Sequence, residues 1–145
     1  MLVGVHAIGL FGRDSLDARL EYAATSGLTF THDQFTDGYV SARRVISHFI
    51  GTDGRDIYTR LTDRITPNLM LGLELDRAII GSTVKNFAGP KERRFGGGVD
   101  ISYRFWDRYS LFVQYQLMDV ENRNFRPGDD GLDHLLRFEL TRSFR

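Results

Sequence analysis

Leu132-Asp133-His134-Leu135-Leu136-Arg137-Phe138-Glu139-Leu140-Thr141-Arg142-Ser143-Phe144-Arg145 closes the chain and decides its fold. Leu136, Phe138, Leu140 and Phe144 share one parity, and Arg137, Glu139, Thr141 and Ser143 share the other. A period of two with a polar opposite face describes a strand between an apolar and a wet environment. The pattern runs to the terminus and places an aromatic one residue from the end, as outer-membrane barrels commonly do. On that reading the bilayer is the solvent, and function belongs to the loops.

The same alternation recurs upstream. Leu71, Leu73 and Leu75 oppose Gly72, Glu74 and Asp76, while Val99, Ile101, Tyr103 and Phe105 oppose Asp100, Ser102 and Arg104. Tyr109, Leu111, Val113, Tyr115 and Leu117 oppose Ser110, Phe112, Gln114 and Gln116, and Leu16, Ala18, Leu20 and Tyr22 oppose Asp17, Arg19 and Glu21. Charges at alternate positions inside long strands suit a polar lumen better than a dry core. Strands are expected at about 2–11, 16–26, 56–64, 70–80, 95–106, 109–120 and 132–144. The expected fold class is all-β, an antiparallel transmembrane β-barrel segment of about seven strands, with residues 1–145 forming the C-terminal part of one barrel domain.

Connection lengths agree. Short turns fall at Gly12-Arg13-Asp14-Ser15, Thr66-Pro67-Asn68-Leu69 and Trp106-Asp107-Arg108. Long polar connections run over 27–55, 81–94 and 121–131. Short alternating with long is the asymmetry between periplasmic turns and external loops. Ile57-Tyr58-Thr59-Arg60-Leu61-Thr62-Asp63-Arg64 aligns with Ile101-Ser102-Tyr103-Arg104-Phe105-Trp106-Asp107-Arg108 as an internal repeat, with Asp-Arg expected at each turn. Trp106, Tyr109 and Tyr103 are expected in an interfacial aromatic girdle. Gly96-Gly97-Gly98 precedes no helix and is expected to mark a bulge, a bend or a close backbone contact.

Composition narrows the class. The chain has 145 residues, 19 basic and 19 acidic, so nothing argues broadly for nucleic acid or for anionic lipid. It has no Cys, which removes disulfides, thiolate metal sites and Cys nucleophiles. A mean hydropathy of −0.29 and the lack of any long apolar run exclude helical spans but not a barrel. Met1-Leu2-Val3-Gly4-Val5-His6 lacks the basic and apolar regions of an export signal. Together with an odd strand count, this leads to the expectation that the remaining barrel strands lie outside the chain.

Further segments carry a family resemblance. Leu20-Glu21-Tyr22-Ala23, Thr31-His32, Tyr39-Val40 and Ser47-His48-Phe49-Ile50-Gly51-Thr52-Asp53-Gly54-Arg55-Asp56 come first. Thr66-Pro67-Asn68-Leu69-Met70-Leu71-Gly72-Leu73-Glu74-Leu75-Asp76-Arg77 and Pro127-Gly128-Asp129-Asp130 follow. From about residue 16 onward this ordered series resembles the capsule assembly protein Wzi family. The resemblance implies a longer outer-membrane barrel with a signal peptide and a periplasmic helical portion. It implies a lectin-like, non-catalytic protein that holds capsular polysaccharide at the cell surface.

Candidate ligand residues sit in the expected external loops. Loop 27–55 supplies Phe35, Tyr39, Arg43, Arg44 and His48, among Phe30, His32, Asp33 and Asp53. Aromatic faces stack on pyranose rings, and the arginine fork suits sugar carboxylates. Two basic tips, Lys91-Glu92-Arg93-Arg94 and Arg123-Asn124-Phe125-Arg126, add Arg93 and Arg126. These tips either contact acidic polysaccharide or lipopolysaccharide phosphates, or are solvated charge runs, the commoner case. His32, Asp33, His48 and Asp53 match no compact metal spacing, Asp129 and Asp130 are expected in a solvated turn, and nothing calls for a cofactor. No nucleophile elbow or triad context is present, so no enzyme is expected; Glu74 and Asp76 are expected to be neutralised by Arg60 and Arg104. The expected partners are capsular polysaccharide and outer-membrane lipid with lipopolysaccharide. The alternative is a porin-like channel for small solutes, in which lumen charges set selectivity. A soluble barrel is disfavoured by the outward Leu71, Leu73 and Leu75.

Overall fold

The structure, a computed structural model, describes residues 1–26, 40–41, 44–45, 50, 53–81, 89–106 and 108–143. In chain order the strands are β1 (Leu2–Ile8), β2 (Leu16–Thr25), β3 (Val40–Ser41), β4 (Arg44–Val45), β5 (Gly54–Thr66), β6 (Leu69–Ile80), β7 (Glu92–Phe105), β8 (Tyr109–Glu121) and β9 (Gly131–Arg142). Among the described residues the short β3 and β4 pair only with each other. The other seven form one antiparallel meander in sequence order, β1-β2-β5-β6-β7-β8-β9. Among the described residues there is no α-helix, and no helix is long and apolar enough to cross a membrane.

Register confirms the two faces. Leu61 lies opposite Leu73, Leu73 opposite Val99, Val99 opposite Tyr115, and Tyr115 opposite Leu136. This row is apolar apart from its tyrosine hydroxyl, and it is exposed: Leu73 at 44%, Val99 at 52%, Leu136 at 74%. One position along, Arg60 lies opposite Glu74, Glu74 opposite Gly98, and Gly98 opposite Gln116. Buried hydrophobic side chains amount to Ala23, Ile50, Ala78 and Val120 among the described residues. The sheet therefore packs on no conventional core, and its apolar surface faces outward, as a barrel wall's does in lipid.

At one end of the sheet the turns are tight. Thr66 Oγ1 accepts from the N–H of Asn68 and Leu69 at 3.3 and 3.1 Å, closing the turn from β5 to β6. Beside it, Phe105 stacks on Tyr109 at 5.6 Å and meets Trp106 edge-on at 5.3 Å, while Trp106 meets Tyr109 edge-on at 6.1 Å. The expected aromatic girdle is thus assembled around one turn. The long connections lie at the opposite end.

Three details depart from expectation. The first strand ends at Ile8 rather than 11, because Gly9 takes φ +72° and Phe11 φ +55°, folding Leu10–Gly12 into a 3-10 turn. Asp63 and Arg64 lie inside β5, before the turn rather than in it. Asp63 accepts instead from Arg13 at 2.7 Å and Ser15 at 2.8 Å, tying β5 to the preceding turn; Asp107 is outside the described residues. Of the alternatives for Gly96 to Gly98, the bulge is absent, since their pairing with Asp76 to Glu74 is continuous, while close contact holds at Gly98, where a Cβ would stand 3.1 Å from the Tyr115 carbonyl oxygen. The register irregularity in β5 and β6 falls between Arg64 and Thr66.

β1 pairs only with β2, and β9 only with β8, among the described residues. An antiparallel meander of seven strands makes these two edges run in the same direction. The sheet is open.

Candidate functional site

Four strands build a polar cluster on the inner face. Arg60 from β5 donates to Glu74 of β6 at 3.1 Å and to Asp100 of β7 at 2.7 Å. Glu74 also accepts from Tyr58 at 3.2 Å, from Gln114 of β8 at 3.3 Å and from Gln116. The Asp100 side chain is 2% exposed. A carboxylate so enclosed is tolerable only when paired and hydrogen-bonded, and here both conditions hold. Glycine makes room: a Cβ on Gly98 would stand 2.8 Å from Glu74 Oε1 and from Gln116 Cγ.

Arg60 was expected to neutralise the inner carboxylates, and it does so for Glu74. The second carboxylate on Arg60 is Asp100, not Asp76. Arg104 takes no part: it is exposed near the short-turn end, opposite Ser110. The cluster occupies Glu74 and Asp100 with cross-strand donors, two carboxylates sharing one arginine, and so ties four strands together at this level of the wall. Beside it a hollow of about 190 Å³ opens between Tyr58, Glu74, Asp76, Gln116 and Met118.

The long-loop end is organised differently. Asn122 takes φ +53°, a conformation Asn tolerates, and starts a compact loop that ends at Asp130. Its N–H donates to Asp130 Oδ1 at 2.8 Å, its Oδ1 accepts from the Gly128 N–H at 3.2 Å, and its Nδ2 donates to the Lys91 carbonyl at 3.2 Å. Glu92, only 3% exposed, accepts the Asn124 N–H at 2.8 Å and Arg94 Nε at 2.6 Å. Arg93 bridges to Glu121 at 3.3 Å and Arg123 to Asp133 at 2.7 Å. The loop between β8 and β9 is therefore docked onto the start of β7, and the two basic tips form one cross-linked rim rather than two solvated charge runs.

Of the residues expected to contact a ligand, this rim holds Arg93 and Arg126. Arg126 is exposed and follows Phe125, which is 37% exposed with φ +61°. An aromatic residue followed by an arginine on a docked loop supplies the two chemistries that stack on a sugar and bind an acid or hydroxyl. Phe35, Tyr39, Arg43 and His48, with His32 and Asp33, lie outside the described residues. Arg44 is placed by its backbone in β4. Asp130 is not merely solvated, since it anchors Asn122. Among the described residues no three His, Cys, Asp or Glu side chains converge as metal ligands would.

Sequence reading missed Glu92 and Asn122 as organisers of the rim, since their partners are remote along the chain. It also passed over Arg55 and Arg77, two exposed arginines on the apolar parity of β5 and β6. The signal was present: each breaks the apolar alternation at the end nearest a long connection.

A family model described as capsule assembly protein Wzi matches residues 1–135. The match takes in β1 and the following turn, which the resemblance from about residue 16 leaves out, and stops within β9. No curated protein and no solved structure matches the chain.

Proposed function

The chain belongs to the capsule assembly protein Wzi family, and we propose from that premise that it forms part of an outer-membrane barrel wall whose external rim holds capsular polysaccharide without catalysis. Its width suits a bilayer. Phe105, in the aromatic girdle, and Phe95, near the long-loop end, stand ten residues apart on β7. Ten residues at about 3.4 Å each, tilted by about 40°, rise roughly 26 Å, close to the height of an outer-membrane apolar band. Further strands would satisfy the open edges of β1 and β9, since unpaired backbone groups are not tolerated in hydrocarbon.

The observation that carries polysaccharide retention is the cross-linked rim, with Arg126 and Phe125 displayed on a loop fixed to β7 through Glu92 and Asn122. Phe35, Tyr39, Arg43, Arg44 and His48 join it on their chemistry alone. Weak contacts repeated along a polymer give avidity without a deep pocket. The inner carboxylates Glu74 and Asp100 are held by Arg60 and its neighbours, which suits a structural wall better than acid–base chemistry.

The test is capsule retention. In a strain lacking the gene, Arg126→Ala combined with Tyr39→Ala and Arg43→Ala should restore normal protein levels in the outer membrane. Polysaccharide should nonetheless shift from cell-bound to shed. Retention equal to wild type in that variant would overturn the site. A conducting pore in planar bilayers with no effect of deletion on capsule would instead assign the chain to solute passage.

A further inference from the structure

We propose that the outward face of β5, β6 and β7 at the long-loop end binds the phosphorylated headgroup of an outer-leaflet glycolipid, through Arg55 and Arg77 with Arg93 at the border. This rests on the membrane topology proposed above. Arg77 lies opposite Ile57 on one side and Phe95 on the other; Arg55 and Arg93 both lie opposite Ile79. All three arginines thus fall on the outward parity shared with Leu73, Leu75 and Val99, not on the parity of the lumen. They sit where the apolar band ends.

The charges of Arg55 and Arg77 are not spent within the sheet. Arg55 and Arg77 are exposed and form no ion pair or side-chain hydrogen bond among the described residues, while Arg93 bonds Glu121 at 3.3 Å. An unpaired guanidinium on a lipid-facing surface is costly in hydrocarbon and acceptable only at the interface, where anionic groups are available. The neighbours of Arg77 indicate an amphiphile: Ile57 is 46% and Phe95 59% exposed in the same cross-strand row. A groove of about 290 Å³ runs between Arg77, Ile79, Arg93 and Phe95, bounded by Asp119 and Glu121. Those two acids confine the cationic part to β5–β7. Cations beside exposed apolar side chains match a lipid with a phosphate head and acyl chains, and the arginine fork matches phosphate oxygens. A capsular polymer lies above the membrane and would not reach down this face.

The natural gene product, purified from outer membranes in non-ionic detergent, is titrated with fluorescent diphosphoryl lipid A, with its dephosphorylated form and with phosphatidylglycerol. Preference for the diphosphoryl form is expected. Arg55→Gln/Arg77→Gln should weaken that binding about thirtyfold, since each arginine near an anionic surface is worth on the order of a fivefold change. Arg64→Gln/Arg104→Gln removes the same charge from the inner face at the other end and should leave binding unchanged. Equal binding of all three lipids, or equal binding by both double variants, would overturn the site. A heat-induced mobility shift on detergent gels reports the folded barrel independently. Its absence in wild type would overturn the membrane reading and this inference with it, whereas its presence with unselective binding would sink the site alone.

Discussion

A Cβ added to Gly72 would collide with Asp100 Oδ2 and lie 2.6 Å from Arg60 Nη2. Gly72 is therefore the floor on which the Arg60–Asp100 pair rests, and only a hydrogen fits there. Gly72→Ala should cost about 1–3 kcal/mol by overpacking, read from denaturant unfolding in lipid vesicles. Gly96→Ala, whose nearest neighbours would stand 3.4 Å away, should stay close to wild type. Equal effects would remove the packing argument. The opposite face answers to a different solvent. Leu73→Arg should cost about 2–4 kcal/mol near the bilayer midplane, and Gln114→Arg, on the inner wall, should be tolerated. If both are tolerated equally, the face assignment fails.

Among the elements, the loop from Asn122 to Asp130 gains its shape from partners on a different strand. Asn122→Ala removes the bond to Lys91 and the acceptor for Gly128, and places Ala at φ +53°. The variant should lose about 1–2 kcal/mol locally and be cleaved faster by protease within residues 122–130, with the strands unaffected. Cleavage at the wild-type rate would mean the docking contributes little. Such loops explain what the sequence could disclose. The alternation in β6, β8 and β9 is a local property of period two, so strand faces were readable to within a few residues. The start of β7 was not: Glu92, Arg93 and Arg94 look like a solvated tip until Glu92 meets Asn124, 32 positions away. The end of β1 was overrun because Leu10 and Phe11 prolong an apolar run, and only the positive φ of Gly9 and Phe11 breaks it. Side-chain chemistry alone cannot tell Arg93, held by Glu121, from Arg77, which forms no ion pair among the described residues.

For the whole molecule, the division of labour runs along the strand axis. Aromatics gather at the short-turn end, a hydrogen-bonded polar cluster ties the strands in the middle of the inner face, and charge is displayed at the long-loop end. Deleting the cluster's hub by Glu74→Leu would leave Arg60 with Asp100 alone and three donors idle. The expected outcome is a loss of about 1–3 kcal/mol in unfolding free energy from the unsatisfied donors, with capsule retention falling only as protein level falls. Retention lost at normal protein level would show that the wall itself touches polymer. The direction of the two free edges adds a rule of parity. β1 and β9 both descend from the long-loop end, so a second copy set edge to edge in the same membrane would meet this one through parallel seams. A ring that is antiparallel throughout must insert an odd number of strands between β9 and β1, which makes its total even and rules out closure by any number of copies of this sheet alone.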